Sequence, residues 1–368
     1  MKISCERNKF SQSFQLAAAV ASVRDVRPIL QNVKITVDKS GVLLQATDTE
    51  LGIRIYVEDC SVAEKGEAIL PTKLLKKILV ESDEEELILE SSGDKTIVSG
   101  SRSKYTLFTQ PVDEFTDVES FGESAYHEIP ANVFSETIRR TTFATDTDNA
   151  KYALSGVFFE LLEDRYAAVA TDGRRLAFQE GAAKCVKNHK VETSIFPVRT
   201  LQVIERAIAN SEEPVKLSVS PNRVLIQHGK TVFYSRLLEG RFPRWRSIIP
   251  NEDGKVKLEI LAAPFAAAIK QAATVTIEKQ PGVTIIFEKG KMITTGSGHE
   301  VGDSAIETPV AYDGKKKLSI KIDPKYLIEH LRVLPPEQNV KILISDEGEP
   351  LTLKTDDEYI YVVMPLSA

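Results

Sequence analysis

Apolar positions along the chain fall into two periods, and both recur three times in the same order. An aromatic-led pattern comes first: Phe10 with Phe14, Phe134 with Ile138, and Phe265 with Ile269. The i,i+4 spacing puts each pair on one face of a helix. The leading phenylalanines stand 124 and 131 residues apart. A short apolar strand ending in a polar turn follows. "GVLLQATDTELGIRI" (41–55) matches "RYAAVATDGRRLAF" (165–178), and "KGKMITTGSGHEVGDSAI" (289–306) is a looser third copy of that rhythm. A proline then opens a second helix in "ILPTKLLKKIL", "IFPVRTLQVIE" and "IDPKYLIEHL". Pro71, Pro197 and Pro324 are 126 and 127 residues apart. Proline is favoured in the first helical turn, where its missing N–H costs nothing. Each repeat closes on "TIVSGSRSKYTLFTQP", "VLIQHGKTVFYSRLLEG" or "LTLKTDDEYIYVVMP". Period-two alternation with β-branched and aromatic residues reads as half-buried antiparallel strand.

A period this long is that of a domain, not of a solenoid unit. The pattern therefore predicts an α+β protein of three repeated domains, each with two helices packed on antiparallel sheets. The expected domains are residues 1–122, 128–250 and 256–368. Polar, turn-rich joins mark them at "GESAYHE" (122–128) and "NEDGKVK" (251–257).

Basic residues follow the same repeat. In the first proline-led helix Lys73, Lys76 and Lys77 share one face, while Leu74, Leu75, Ile78 and Leu79 take the other. In the second, Arg199, Gln202 and Arg206 line up against Leu201, Ile204 and Ile208. In the third, Lys325 and Arg332 flank Glu329. The phenylalanine-led helices add Lys9, the pair Arg139 and Arg140, and Lys270. On one helix a basic stripe reads as a solvated face. Three equivalent stripes related by rotation converge on one surface, and a basic concave surface tracks phosphates without reading bases. The whole chain carries a net charge of −6, so nucleic-acid binding requires just such a concentration of positive charge.

Composition narrows the class. The chain has 368 residues, 42% hydrophobic and 27% charged, as a soluble protein with real cores would. No apolar run approaches the roughly 18 residues of a membrane span. "MKISCERNKF" has no apolar core, so no signal peptide is expected. Cys5, Cys60 and Cys185 are far apart and odd in number, form no metal or disulfide pattern, and suit a reducing cytoplasm.

Candidate chemistry is sparse. No phosphate-binding G-x-x-x-x-G-K-[ST] occurs, and "GSGHEVG" (296–302) misplaces the last glycine of G-x-G-x-x-G. Five histidines (127, 189, 228, 299, 330) show no ligand spacing. Asp146 and Asp148 in "DTD" read as a polar loop before they read as a metal site. Asp172 is shared with Asp48, so it reads as turn architecture, its carboxylate bonding backbone N–H groups. Gly173-Arg174-Arg175-Leu176 is private to the second repeat and is the better place to look for function. The apolar tail "YIYVVMPLSA" either packs in the core or lines a groove.

Taken together, the three-repeat plan, "ATDGRRLAF" (170–178), "EGRFPRW" (239–245) and the terminal "YVVMPLSA" resemble the bacterial DNA polymerase III β-subunit family, the sliding clamps, across essentially the whole chain. The resemblance implies the DNA clamp fold, closing into a ring as a head-to-tail dimer, with helices lining the hole and sheets outside. It implies a cytoplasmic, non-enzymatic processivity factor with no cofactor and no metal. The implied partners are double-stranded DNA, a second copy of the chain, the DNA polymerase III α subunit, an ATP-driven clamp loader and other proteins carrying a short clamp-binding peptide, with no membrane.

Carried over by motif, the peptide pocket lies between the second and third domains. It takes Lys151, Leu154, Thr171, Gly173, Arg174, Arg175, Leu176, Pro243, Ile248, Val362, Met364, Pro365 and Leu366. Leu154, Leu176, Val362 and Met364 would make an apolar slot for leucine and phenylalanine anchors. DNA contacts are expected from Lys73, Lys76, Lys77, Arg199, Arg206, Lys325 and Arg332, with Arg24 and Tyr152 added by the resemblance. At the dimer seam an edge strand near 101–108, with Arg102, Lys104, Tyr105 and Leu107, is expected to meet 298–307 with Glu300 and Asp303. Three departures stand out: Arg174 where many members have His, a Leu-Ser-Ala terminus, and Ala153 where some members have a second tyrosine. Two other functional readings are a metal-dependent enzyme using Asp172 and a monomeric peptide-binding adaptor.

Overall fold

The structure, a computed structural model, describes residues 1–22, 27–122, 125–146, 152–189, 193–209, 211–253, 255–277, 282–314, 316–345 and 348–366. Six α-helices occur among them: α1 (Arg7–Val20), α2 (Thr72–Glu81), α3 (Ala131–Thr142), α4 (Val198–Ile208), α5 (Ala262–Ala273) and α6 (Pro324–Arg332). That is two per repeat, beside antiparallel sheets and four short 3-10 turns, an α+β architecture.

The helices form for the reasons the pattern suggested. Phe10 and Phe14 in α1, Phe134 and Ile138 in α3, and Phe265 and Ile269 in α5 are all buried. The Phe10 and Phe14 rings stack 6.1 Å apart along their shared face. Each such ring contributes about 1.5–3 kcal/mol by leaving water. Pro71 caps α2, Pro197 directly precedes α4, and Pro324 opens α6, where the Asp323 carboxylate accepts from the Lys325 N–H. One detail differs from the sequence reading. Leu74 lies on the outward side of α2, 55% exposed, while Leu75 and Leu79 carry its buried side.

Contacts divide the chain into two compact units, whereas the sequence repeats three times. The first comprises Met1–Ser135, Ala183–Glu192 and Arg199–Leu237. It holds a five-stranded sheet and a nine-stranded sheet. In the larger sheet Thr231–Arg236 of the second repeat pairs with Leu51–Val57 of the first, Phe233 opposite Ile53. The second unit comprises Glu136–Ala182, Thr193–Val198 and Leu238–Ala368, with sheets of eight and four strands. In its larger sheet Arg175–Ala182 of the second repeat pairs with Tyr359–Val363 of the third, Leu176 opposite Val362. Backbone ladders thus carry each large sheet across a repeat boundary, and half of the central repeat joins each neighbour.

Each of the four sheets ends on two edge strands, and two of these edges lie where the seam is expected. Lys104–Phe108 ends the five-stranded sheet, and Gly302–Pro309 ends the four-stranded one.

Candidate functional site

The turn at Thr171-Asp172 is built entirely from local hydrogen bonds. Asp172 Oδ1 accepts from the N–H groups of Arg174 (2.9 Å) and Arg175 (3.0 Å). Thr171 Oγ1 accepts from Gly173 N–H at 3.0 Å and donates to the Arg175 carbonyl at 2.5 Å. Its counterpart repeats every bond. Asp48 Oδ1 accepts from Glu50 (3.1 Å) and Leu51 (2.8 Å), and Thr47 Oγ1 bridges Thr49 N–H and the Leu51 carbonyl. The residue after the aspartate is left-handed in both, Gly173 at φ 87° and Thr49 at φ 77°. Asp172 Oδ2 in turn holds Arg175 Nε at 3.0 Å. Both carboxylate oxygens of Asp172 are therefore committed to the turn.

Beyond the turn, the strand Arg175–Ala182 sends alternate side chains to opposite faces. Leu176 and Phe178 enter an apolar cluster with Ala153, Leu154, Ala167, Val169, Ile195, Phe242, Trp245 and Val362. Arg175 points the other way. Its guanidinium donates to Glu329 of α6 and, at 2.6 Å, to the Phe143 carbonyl, and it lies 4.7 Å over the Tyr326 ring. Arg175 and Leu176, adjacent at the start of the strand, thus leave it on opposite faces. Arg175 is a buried brace behind the sheet.

On the cluster's outer side a cavity of about 520 Å³ is lined by Ala153, Leu154 and the segment from Glu239 to Arg244. Leu154 lines it and meets Leu176 and Val362 in the cluster, but Leu176 and Val362 are almost fully buried and take no part in the lining. The three therefore make no open slot. Gly173, Arg174, Pro243, Ile248 and Met364 are the exposed residues of the predicted set. The tail is held in place: Met364 N–H donates to the Arg174 carbonyl at 2.9 Å, and Leu366 N–H to the Lys321 carbonyl at 2.8 Å. Pro365 and Leu366 are half-buried. The motif "EGRFPRW" by itself gives its aromatics no role. Phe242 stacks on Phe158 at 4.9 Å and Trp245 on Phe178 at 5.0 Å, so this segment supplies much of the cluster. Two aromatics within four residues of a loop were the available signal.

The cations of the proline-led helices differ in their surroundings. Lys73, Lys76, Lys77, Arg206, Lys325 and Arg332 are exposed. Glu329, the one acid in the α6 stripe, is neutralised by Arg175. Arg199 is different: it pairs with Asp48 and donates to the Val20 carbonyl at 3.2 Å, so part of its charge is spent. Arg140 is a larger departure. It is 1% exposed, with salt bridges to Glu136 (2.6 Å) and Asp357 (2.7 Å), and lies 5.0 Å over Tyr359. Of the Arg139–Arg140 pair only Arg139 reaches the surface. Arg24, Lys151, Asp148 and the Tyr152 side chain lie outside the described residues.

At the first edge Arg102, Lys104 and Tyr105 are exposed, whereas the Leu107 side chain, 6% exposed, turns to the core. The alternation that buries Leu107 presents Phe108, 70% exposed, which sequence reasoning passed over. Glu84 shapes the turn before this strand. The Arg102 N–H and the Ser101 and Ser103 hydroxyls all donate to its carboxylate, which holds it down to about 2. At the second edge Glu300 and Asp303 are exposed. Elsewhere His127 and His189, distant in sequence, meet with their Nδ1 atoms 2.8 Å apart. No group of three or more His, Cys, Asp or Glu placed to hold a metal occurs among the described residues. No helix among them is long and apolar enough to cross a membrane.

Comparison with known proteins matches this architecture along the whole chain. Family models of the DNA polymerase III beta subunit match in order: N-terminal domain at residues 1–119, central domain at 128–244 and C-terminal domain at 246–367. The beta sliding clamp of Haemophilus influenzae is 27% identical over 373 residues, covering 100% of both chains. That of Caulobacter vibrioides is 28% identical over 375 residues, again covering 100% of both. Among solved structures, the DNA polymerase III subunit beta of Pseudomonas aeruginosa superposes with a TM-score of 0.89 at 26% identity, covering 100% of each chain. A sliding clamp from the same organism bound to griselimycin gives 0.92 at 26% identity with the same coverage. With all three domain models matched in sequence order, the chain belongs to the DNA polymerase III beta-subunit family.

Proposed function

We propose that this chain is a DNA sliding clamp: two copies close head to tail around duplex DNA, without reading its sequence, and tether the replicative polymerase. The observation that carries the reading is the set of exposed cations on all three proline-led helices, Lys73, Lys76 and Lys77, then Arg206, then Lys325 and Arg332, in a chain whose net charge is −6. Charge placed there is suited to phosphates, and phosphate contacts carry no sequence information. The three clamp domains are residues 1–122, 128–250 and 256–368. The seam joins the open edge Lys104–Phe108 of one copy to Gly302–Pro309 of the other, with Arg102 and Lys104 against Glu300 and Asp303 and with Tyr105 and Phe108 as apolar contacts.

Partners, the DNA polymerase III α subunit and an ATP-driven loader among them, dock a short peptide at the cluster of Leu154, Leu176 and Val362. Arg174, Pro243, Ile248 and Met364 form its rim. The clamp works in the cytoplasm as a processivity factor without chemistry of its own. Asp172 is no general base in this reading, because its oxygens are spent on the turn. The test is topological. Loaded onto circular DNA by its loader, the protein stays bound in high salt and is released when the circle is cut. Its solution mass is twice the chain's 40.8 kDa. Loss in high salt from the intact circle, or a strictly monomeric particle at micromolar concentration, would overturn the reading in favour of a peptide-binding adaptor.

A further inference from the structure

The strand Cys60–Glu64 forms the other edge of the five-stranded sheet and pairs antiparallel with Lys2–Glu6. The register sets Cys5 directly opposite Cys60. The two cysteines stand 55 positions apart in the chain, so spacing alone does not pair them. Directly opposed residues of antiparallel strands have Cα atoms about 4.5–5.5 Å apart and project from one sheet face. That lies within the roughly 4.4–6.8 Å that a disulfide spans. Both cysteines are free thiols here, Cys5 buried and Cys60 half-buried at the edge. The turn ahead of Cys60 is tied down: Lys9 pairs with Asp59, and Lys230 with Glu58 at 2.8 Å. The strand ladder holds the edge cysteine against its partner.

We propose that Cys5 and Cys60 are a thiol-modification site, forming a reversible cross-strand disulfide with a low-molecular-weight disulfide as oxidant. The solvent-facing Cys60 loses its proton and attacks one sulfur of the small disulfide. A mixed disulfide forms, and the other half leaves as a thiolate that takes up a proton. Cys5 then loses its proton and attacks Cys60 Sγ, expelling the second half as a thiol. Two protein thiols are oxidised by two electrons, and one small disulfide is reduced to two thiols. The order follows from the pair's own placement. Cys60 lies half-buried at the sheet edge with its Sγ near the Glu58 carbonyl, whereas Cys5 is buried with its Sγ on the Leu87 carbonyl, so the outer sulfur meets the oxidant first. The product staples the amino-terminal strand to the sheet edge.

The full-length protein is incubated with oxidised glutathione, quenched in acid, unfolded in guanidinium so that the buried Cys5 is reached, alkylated with N-ethylmaleimide, digested and analysed by mass spectrometry. The expected result is alkylation of Cys185 only, together with a linked peptide pair carrying Cys5 and Cys60 that dithiothreitol separates. Cys60→Ser abolishes the link and leaves Cys5 alkylated, whereas Cys185→Ser leaves the link intact. The oxidised protein also unfolds at a higher temperature than the reduced one, and the difference disappears in Cys60→Ser. A persistent glutathione adduct on Cys60 beside a free Cys5, or alkylation of all three thiols, would overturn the proposal.

Discussion

Arg140→Met separates the surface reading of this arginine from the buried one. In the structure its guanidinium bonds Glu136 at 2.6 Å, Asp357 at 2.7 Å and Gln179 Oε1 at 2.8 Å. Methionine keeps much of the aliphatic volume and removes all three bonds. Breaking a buried ion pair costs about 3–5 kcal/mol when the remaining charge is trapped. Glu136 and Asp357 are 42% and 47% exposed, so water takes over part of their solvation and the expected cost sits at the low end, about 3 kcal/mol. The assay is guanidinium unfolding followed by the fluorescence of Trp245, the chain's single tryptophan, which lies in the same compact unit. With a slope of about 4 kcal/mol/M, the midpoint falls by about 0.7 M. Arg139→Met at the surface costs under about 0.5 kcal/mol. The effect depends on pH in a defined direction. Burial raises the Asp357 carboxyl, but hydrogen bonds from Arg140 and Thr355 outweigh it and hold the group below its ordinary 3.8. A depressed carboxylate stabilises above its unfolded pKa and loses that contribution as pH falls through the folded one. The Arg140→Met deficit therefore shrinks in acid. A midpoint shift below about 0.2 M at neutral pH, or DNA retention lost with the midpoint unmoved, would refute the buried assignment.

Three further predictions follow from the same geometry. Thr49→Gly stabilises and Gly173→Ala destabilises, each by about 1 kcal/mol, because both positions are left-handed; calorimetry of the two variants reads opposite shifts, and shifts of the same sign would contradict the argument. Replacing Lys73, Lys76 and Lys77 together by Ala weakens DNA binding equally for unrelated sequences and flattens its salt dependence, measured by titration at several salt concentrations; a sequence-dependent loss would count against phosphate tracking. The Glu252 carboxyl, held down to about 2 by Lys257 and Lys354, contributes stability above its ordinary 4.5 that fades as pH falls toward 2, so Glu252→Gln differs from the parent at neutral pH and converges with it in acid.

Much of the fold is legible in the sequence. The Phe10, Phe134 and Phe265 helices and the prolines at 71, 197 and 324 announce themselves by spacing alone, and the structure contains each helix. The Thr-Asp turn is equally legible, because a carboxylate that bonds N–H groups two and three residues on needs nothing distant. The candidate site is legible only in part. Leu154, Leu176 and Val362 do meet, but the depth at which they lie, the role of Phe242 and Trp245, and the divergence of Arg175 from Leu176 are not visible in a motif.

Local chemistry, then, was determined by the sequence by itself: the repeat, the helix and strand periods, the capping prolines and the turn. These depend on residues a few positions apart. Tertiary structure alone decided which of two adjacent arginines is buried at 139–140 and which faces the helices at 174–175. It also decided that Cys5 meets Cys60, that His127 meets His189, and that the central repeat divides between two sheets. The physical reason is common to all of these. Strand register and sheet face are set by hydrogen bonds between segments far apart in the chain, and a shift of one residue would exchange every inward side chain for an outward one.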